Sequence, residues 1–228
     1  MRLLKDIFYL FFPKLCETCQ NPLVLNETLL CLNCRHDLPI ICYTNYEESY
    51  ISTIFKGKVP VNKVVSFLHY QKAGKTKELI HRLKYKGKEE IGTFIGNWFG
   101  KILCDSEEFD TIDYIIPVPL HPKKQRQRGY NQLTKFGKSL SKELKTIYLE
   151  NILVRTIAAK TQTLKSRLER FDNTKTKFQL TDFNLLKNKH VLLIDDVITT
   201  GATLEACCIE LLKSNNITIS IATIAYTE

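Results

Sequence analysis

The run Val191 to Thr203, VLLIDDVITTGAT, constrains the fold more than any other stretch of this chain. Val191 to Ile194 is apolar throughout with two β-branched members, the pattern of a strand covered on both faces, as in parallel sheets. Asp195 and Asp196 are expected to end that strand. Val197 and Ile198 then lead into Thr199, Thr200, Gly201, Ala202 and Thr203, small residues whose backbone amides can approach a ligand closely. Leu204, Cys207 or Cys208, and Leu211 recur at helical spacing, so a helix is predicted next. The loop therefore sits over a helix amino end, where unpaired N–H groups and the macrodipole favour an anion.

Two acids in front of such a cradle suit a ligand with hydroxyls at one end and a phosphate at the other. Carboxylates accept hydrogen bonds from ribose hydroxyls, while the amides and threonine hydroxyls hold the 5′-phosphate. Helix capping by an acid is the simpler reading, but it needs one side chain and leaves the Thr-Thr-Gly-Ala-Thr loop unexplained. The run resembles the phosphoribosyl pyrophosphate (PRPP) signature of type I phosphoribosyltransferases: four apolar residues, two acids, then small and hydroxylated ones.

Cys16, Cys19, Cys31 and Cys34 form C-x2-C-x11-C-x2-C, two knuckles that can present four thiolates to one tetrahedral zinc ion. The segment Gln20 to Leu30 has a polar turn at Asn26 between apolar residues, suiting the small hairpin of a zinc ribbon. Four thiolates leave no open position, which points to structural zinc. A disulfide framework is the competing reading, and the lack of an export signal disfavours it. The other cysteines, Cys42, Cys104, Cys207 and Cys208, receive no function.

With 228 residues the chain can form one α/β domain and a small appendage. The expected division is 1–45 for an amino-terminal helix and zinc ribbon, and 60–228 for the sheet domain. Formal charge is +9, and its distribution matters more than its size. Lys72 to Lys88, His121 to Lys145 and Arg155 to Lys177 hold 22 of the 33 basic residues and 4 of the 24 acids. Such asymmetry suits a polyanionic partner: a pyrophosphate, a nucleic-acid backbone, or both in turn. No run approaches the ~18 to 20 apolar residues that cross a bilayer, so no transmembrane segment is expected. Ile7 to Phe12 follows Arg2 and Lys5, meets Pro13 and lacks a small-residue cleavage site; it is expected to form a first helix packed on the body, and the chain reads as cytoplasmic.

Strands are predicted at Val64 to Tyr70, Tyr114 to Val118, Leu153 to Val154 and within Ile217 to Tyr226, with helices over Thr76 to Tyr85, Ile91 to Leu103 and Asn131 to Lys145. Pro117 and Pro119 turn the second strand out of the sheet. This alternation implies a parallel sheet with ligands at the carboxyl ends of its strands.

Four further motifs narrow the family: the cysteine pairs, HYQKAGKTKELIHRLKYKGK from His69 to Lys88, IIPVPLHPKKQRQRGYNQ from Ile115 to Gln132, and RTIAAKTQTLKSRLERFDN from Arg155 to Asn173. With the PRPP signature they make the chain similar to the ComF family, linked to DNA uptake and natural competence, over nearly its whole length. The resemblance implies an α/β fold, a type I phosphoribosyltransferase-like, mostly parallel sheet flanked by helices, with a small amino-terminal zinc-ribbon module. Asp195 and Asp196 are then the residues that orient the ribose, Thr199, Thr200, Gly201, Ala202 and Thr203 the phosphate loop, and Arg126 and Arg128 the pyrophosphate contacts. The basic stretch Pro119 to Asn131 is expected to be a loop, disordered when empty, that closes over the ligand with Gly129 as hinge. Arg155 to Lys177 is expected to form a hood over the acceptor, with Thr161, Gln162, Arg167 and Arg170 as contacts.

Two functions follow from the resemblance. One is binding of PRPP or a related phosphorylated ribose in the service of DNA uptake, with single-stranded DNA and competence-machinery proteins as partners. The other is phosphoribosyl transfer from PRPP with Mg²⁺ to a nitrogen acceptor, without a DNA role. The scattered histidines supply no catalytic base. Similarity to amidophosphoribosyltransferases is confined to the phosphoribosyl half, so glutamine-dependent amination is not expected.

Overall fold

The computed structural model describes residues 12–46, 49–156 and 178–227. The expected first helix, apart from Phe12, and the hood residues Thr161, Gln162, Arg167 and Arg170 lie outside them. Five strands form one wholly parallel sheet: β1 (Val64–His69), β2 (Tyr114–Pro117), β3 (Ile147–Tyr148), β6 (His190–Ile198) and β7 (Thr218–Tyr226), in the order β1-β7-β6-β2-β3. Two short strands, β4 (Leu153–Arg155) and β5 (Phe178–Leu180), pair antiparallel in a separate ribbon. The predicted Leu153 strand thus exists but does not join the main sheet.

The central strand is β6. His190 to Ile194 is buried without interruption between β2 and β7, as its apolar run requires. The doublet does not end it. Pairing with β7 continues through Asp195 opposite Thr223 to Ile198 opposite Tyr226, whereas β2 stops at Pro117 opposite Ile194. A strand ends when its partners end, and here one edge persists. Asp195 and Asp196 therefore lie on a strand extension past β2, with side chains on opposite faces of the sheet.

Helices α2 (Lys75–Tyr85), α3 (Glu90–Asp105), α5 (Leu133–Glu143) and α6 (Ala202–Leu211) each bury an apolar face, whereas the short α4 (Pro122–Arg128) buries none of its residues. Gly92, Gly96 and Gly100 recur every four residues along α3 and form the seam against α5. A Cβ on Gly96 would stand 2.6 Å from the Phe136 carbonyl oxygen and 2.7 Å from Ser139 Cβ, so the two backbones meet only because those side chains are missing.

The amino-terminal module, with the short helix α1 (Leu32–His36), is tied to the body at three points, two on the sheet edge and one at α2. Ile40 pairs antiparallel with Leu68, and Ile41 N–H donates to Phe67 O at 2.9 Å. The Tyr43 hydroxyl donates to Ser66 O and accepts from Ser66 N–H at 2.6 Å, so one side chain completes the strand edge where the backbone has turned away. Glu17 reaches Arg82 at 3.0 Å and Lys88 at 2.8 Å. Residues between the two expected units also pack: a 3₁₀ helix, Tyr50–Ile54, with Phe55 after it, lies beneath the loop at Gly201.

Candidate functional site

At the carboxyl end of β6, the loop Thr199 to Thr203 turns directly into α6. Gly201 adopts φ 74°, and a Cβ there would stand 2.6 Å from Ile54 Cγ2 and 3.2 Å from Phe55 Cζ. Both the left-handed backbone and the lack of space require glycine. With Gly201 buried, Thr199, Thr200, Ala202 and Thr203 face outward, and Thr200 Oγ1 accepts from the Ala202 amide at 3.5 Å. Asp195 lines the same small cup as the loop, with Leu204 at its base.

The two acids have unlike surroundings. Asp195 Oδ1 accepts the Asp196 amide at 2.7 Å, and burial, reinforced by the charge of Asp196, pushes its carboxyl up to about 8. Lys84 and Lys124 oppose that rise. The thiol of Cys207 on α6 is also raised, by burial first and by Asp195 second, as expected for a neighbour on the same face. Asp196 is held instead by Lys84 Nζ at 2.8 Å and by Gln132 Nε2 at 2.7 Å. Gln132 Oε1 in turn accepts from Arg128 Nη1 at 2.6 Å, and the Arg128 guanidinium lies 5.1 Å from the centre of the Tyr85 ring.

Of the predicted contacts, the structure brings together Asp195, Asp196 and the whole loop, and joins Arg128 to Asp196 through Gln132. Arg126 is exposed on α4, with no contact to the acid doublet among the described residues. Lys84 and Gln132 are additions. Both lie inside motifs visible in the sequence, LKYKGK and RGYNQ, but only the fold carries them to Asp196.

The stretch after β2 also differs from expectation. Pro119 to Asn131 is not a disordered loop: Pro122–Arg128 is helical. His121 Nδ1 accepts the Lys123 amide at 3.1 Å, Pro122 opens the first turn, and Gly129 closes the helix at φ 79° with its N–H on Gln125 O at 2.8 Å. Lys, Gln and Arg between a proline start and a glycine stop are good helix formers.

The four predicted cysteines converge. Their sulfurs all lie within 4.8 Å of one another, and Cys19 and Cys31 are 3.7 Å apart. Tetrahedral zinc at about 2.3 Å from each sulfur would separate the sulfurs by about 3.8 Å, so the donors and spacing fit such an ion. The Cys31 amide donates to Cys16 Sγ at 3.4 Å and Thr18 Oγ1 lies 3.2 Å from it, contacts that favour a thiolate. The expected hairpin between the knuckles is absent among the described residues. Turns replace it: Asn26 sits at φ 75°, and the Glu27 carboxylate accepts from the Val24 and Leu32 amides.

The sheet order, the acid doublet past the end of β2 and the loop on α6 define the type I phosphoribosyltransferase fold, and residues 135–228 match the phosphoribosyl transferase domain. Over 85% of its length the chain is 29% identical to competence protein F of Haemophilus influenzae, covering 89% of that protein. It is 27% identical to DNA utilization protein YhgH of Shigella flexneri, over 92% of this chain and 95% of that one, and 29% identical to competence protein ComFC of Bacillus subtilis, over 56% and 50%. The chain is thus similar over most of its length to competence protein F and YhgH proteins, and its carboxyl-terminal part matches a phosphoribosyltransferase-type domain. Among the described residues, no helix is long and apolar enough to cross a membrane.

Proposed function

We propose that this protein works in the cytoplasm, binds PRPP, or a related phosphorylated ribose, at Asp195, Asp196 and Thr199 to Thr203, and acts in DNA uptake alongside competence-machinery proteins. The observation that carries the ligand is the pairing of an acid doublet with an outward-facing hydroxylated loop at a helix amino end. Ribose hydroxyls would donate to the carboxylates, the 5′-phosphate would meet the amides of the α6 first turn, and Lys84, Lys124 and Arg128 supply cations for the pyrophosphate. Asp195, on losing the proton that burial favours, would offer a hard oxygen donor beside the loop to a Mg²⁺ ion arriving with the ligand; such an ion neutralises pyrophosphate charge. The four cysteines would hold one structural zinc.

Calorimetry with PRPP and Mg²⁺ tests this reading. Asp195→Asn combined with Asp196→Asn is expected to weaken binding at least a hundredfold, and an unchanged affinity would remove the ribose contact.

For DNA, the supporting feature is a groove of about 820 Å³ between the cysteine module and the α2–α3 corner, lined by Lys14, Lys86 and Lys88 beside Phe94 and Asn97, with Glu17, which is paired with Lys88, and Glu90 also on its walls. Cations next to an aromatic ring suit a single-stranded backbone and a stacked base. Single-strand affinity should fall steeply with salt, and the slope should drop by about 1.4 for Lys14→Ala with Lys86→Ala while PRPP binding is retained. A flat salt profile argues against it.

Retained phosphoribosyl transfer is the second reading, favoured by the cations that Lys84 and Lys124 set around intact acids. The bond from ribose C1 to the pyrophosphate oxygen would break, the acceptor nitrogen would bond to C1 and lose its proton, and Arg128 would stabilise the departing pyrophosphate. Release of pyrophosphate in a screen of nitrogen acceptors tests it.

A further inference from the structure

Gln132 is buried between two groups that cannot exchange roles. Arg128 only donates, and Asp196, with Lys84 on its other oxygen, serves as the acceptor, so a single orientation of the carboxamide serves both: Oε1 toward Arg128 Nη1 at 2.6 Å, Nε2 toward Asp196 Oδ2 at 2.7 Å. At 5% exposure its side chain has little access to water as a substitute partner. Any motion of Arg128 that breaks the first bond leaves a buried amide oxygen unpaired and loosens the second. The two ends are differently mounted. Asp196 stands on the rigid central strand with Lys84 on its other oxygen, whereas Arg128 is the last residue of the short helix α4, followed by left-handed Gly129.

We propose that Gln132 is a positioning residue coupling the two ends of the phosphoribosyl site, so that an anion held by Arg128 fixes the carboxylate that receives the ribose. This rests on the ligand reading above and adds communication to it. The guanidinium donates to Gln132 through one edge, and its planar fork has further N–H groups for phosphate oxygens, so Arg128 engages both at once. Pinning Arg128 on an anion pins the carboxamide, and the carboxamide orients Asp196 before the sugar arrives. Lys84 alone cannot do this, because an ammonium on a flexible stem sets charge without fixing the carboxylate plane. Coupling of this kind is reciprocal: each ligand must tighten the other by the same factor.

The experiment is calorimetric titration of the full chain with ribose 5-phosphate, with and without saturating magnesium pyrophosphate. The wild type is expected to bind the sugar phosphate about tenfold more tightly when pyrophosphate is present, within the usual range for coupled sites. Gln132→Met, of similar volume, is expected to bind each ligand alone while the enhancement falls to near unity. Arg128→Lys, a change on a short helix that keeps a cation for the pyrophosphate but not a fork that serves the anion and Gln132 at once, guards against a Gln132 variant that does not fold; it is expected to bind pyrophosphate and lose the enhancement. A merely structural Gln132 would lower stability or both affinities and leave the enhancement intact. That result, or a wild-type factor of one with both ligands bound, overturns the relay while the ligand reading stands. Failure of the wild type to bind ribose 5-phosphate under either condition overturns the ligand reading, and the relay with it.

Discussion

The cysteine module and the parallel sheet solve the problem of staying folded in opposite ways. In the sheet, β6 is buried along its first five residues between two longer-range partners, and its neighbours β7 and β1 are buried nearly throughout. Among the described residues of the module, Val24, Leu25 and Leu32 stand exposed, and the buried apolar residues are Cys16, Leu30, Cys34 and Leu38. A segment of about this size cannot remove enough apolar surface from water to offset its chain entropy. By this comparison the module has the makeup of a fold that a metal at its four sulfurs would hold together, whereas the body rests on close backbone packing.

The largest expected effect separates the two directly. Removing the metal with a chelator, or making Cys16→Ser, should release about one zinc per chain and unfold the module, since structural zinc contributes on the order of 10 kcal/mol to such folds. Amide exchange should rise over residues 14–38 while β6 and β7 stay protected. A metal-free protein with full protection in the module would break the comparison.

Next is the mirror experiment in the body. Gly96→Val drives side-chain atoms into the Phe136 carbonyl and Ser139, so α3 and α5 must separate, at a cost of about 3 kcal/mol in denaturant unfolding. Zinc content should not change. A tolerated valine would show that the helix seam has more slack than its geometry implies.

The smallest effect concerns the site. Asp195 is raised far above the ordinary carboxylate value of about 4. Through the interval from about 4 to about 8 the native state therefore binds the extra proton, and its stability falls as pH rises. Asp195→Asn removes that titration. The variant should gain stability relative to the wild type as pH climbs toward 8 and gain no more beyond it, as read from melting temperatures of the ligand-free protein. His190, lowered by burial on the same strand, pulls the other way at acid pH, where its neutral form must be charged on unfolding. The difference between variant and wild type isolates the aspartate.

Much of this was legible along the chain. The alternation of strands and helices, the cysteine spacing, the turn at Asn26 and the glycine of the phosphate loop are local signals, because each is set by neighbours a few residues away. The α3 glycines were equally visible, yet a stripe of glycines acquires meaning only when its partner helix is known. The extension of β6 past the doublet was hidden for the same reason. A run of acids looks like a strand end unless β7 is known to continue beside it.

What the sequence determined by itself is the chemistry available: two carboxylates before a hydroxylated loop, four thiolates in two pairs, and cations concentrated in three segments. The tertiary structure alone decided which charges meet. Lys84 from α2 and Gln132 at the start of α5 reach Asp196 across wide gaps in sequence, and the pleat sends Asp195 to the other face. It also turned the basic stretch before Gln132 into a capped helix and left Arg126 exposed while drawing Arg128 inward. The reason is physical: backbone patterns are written in local sterics and periodicity, whereas the environment of a charge depends on every element packed around it.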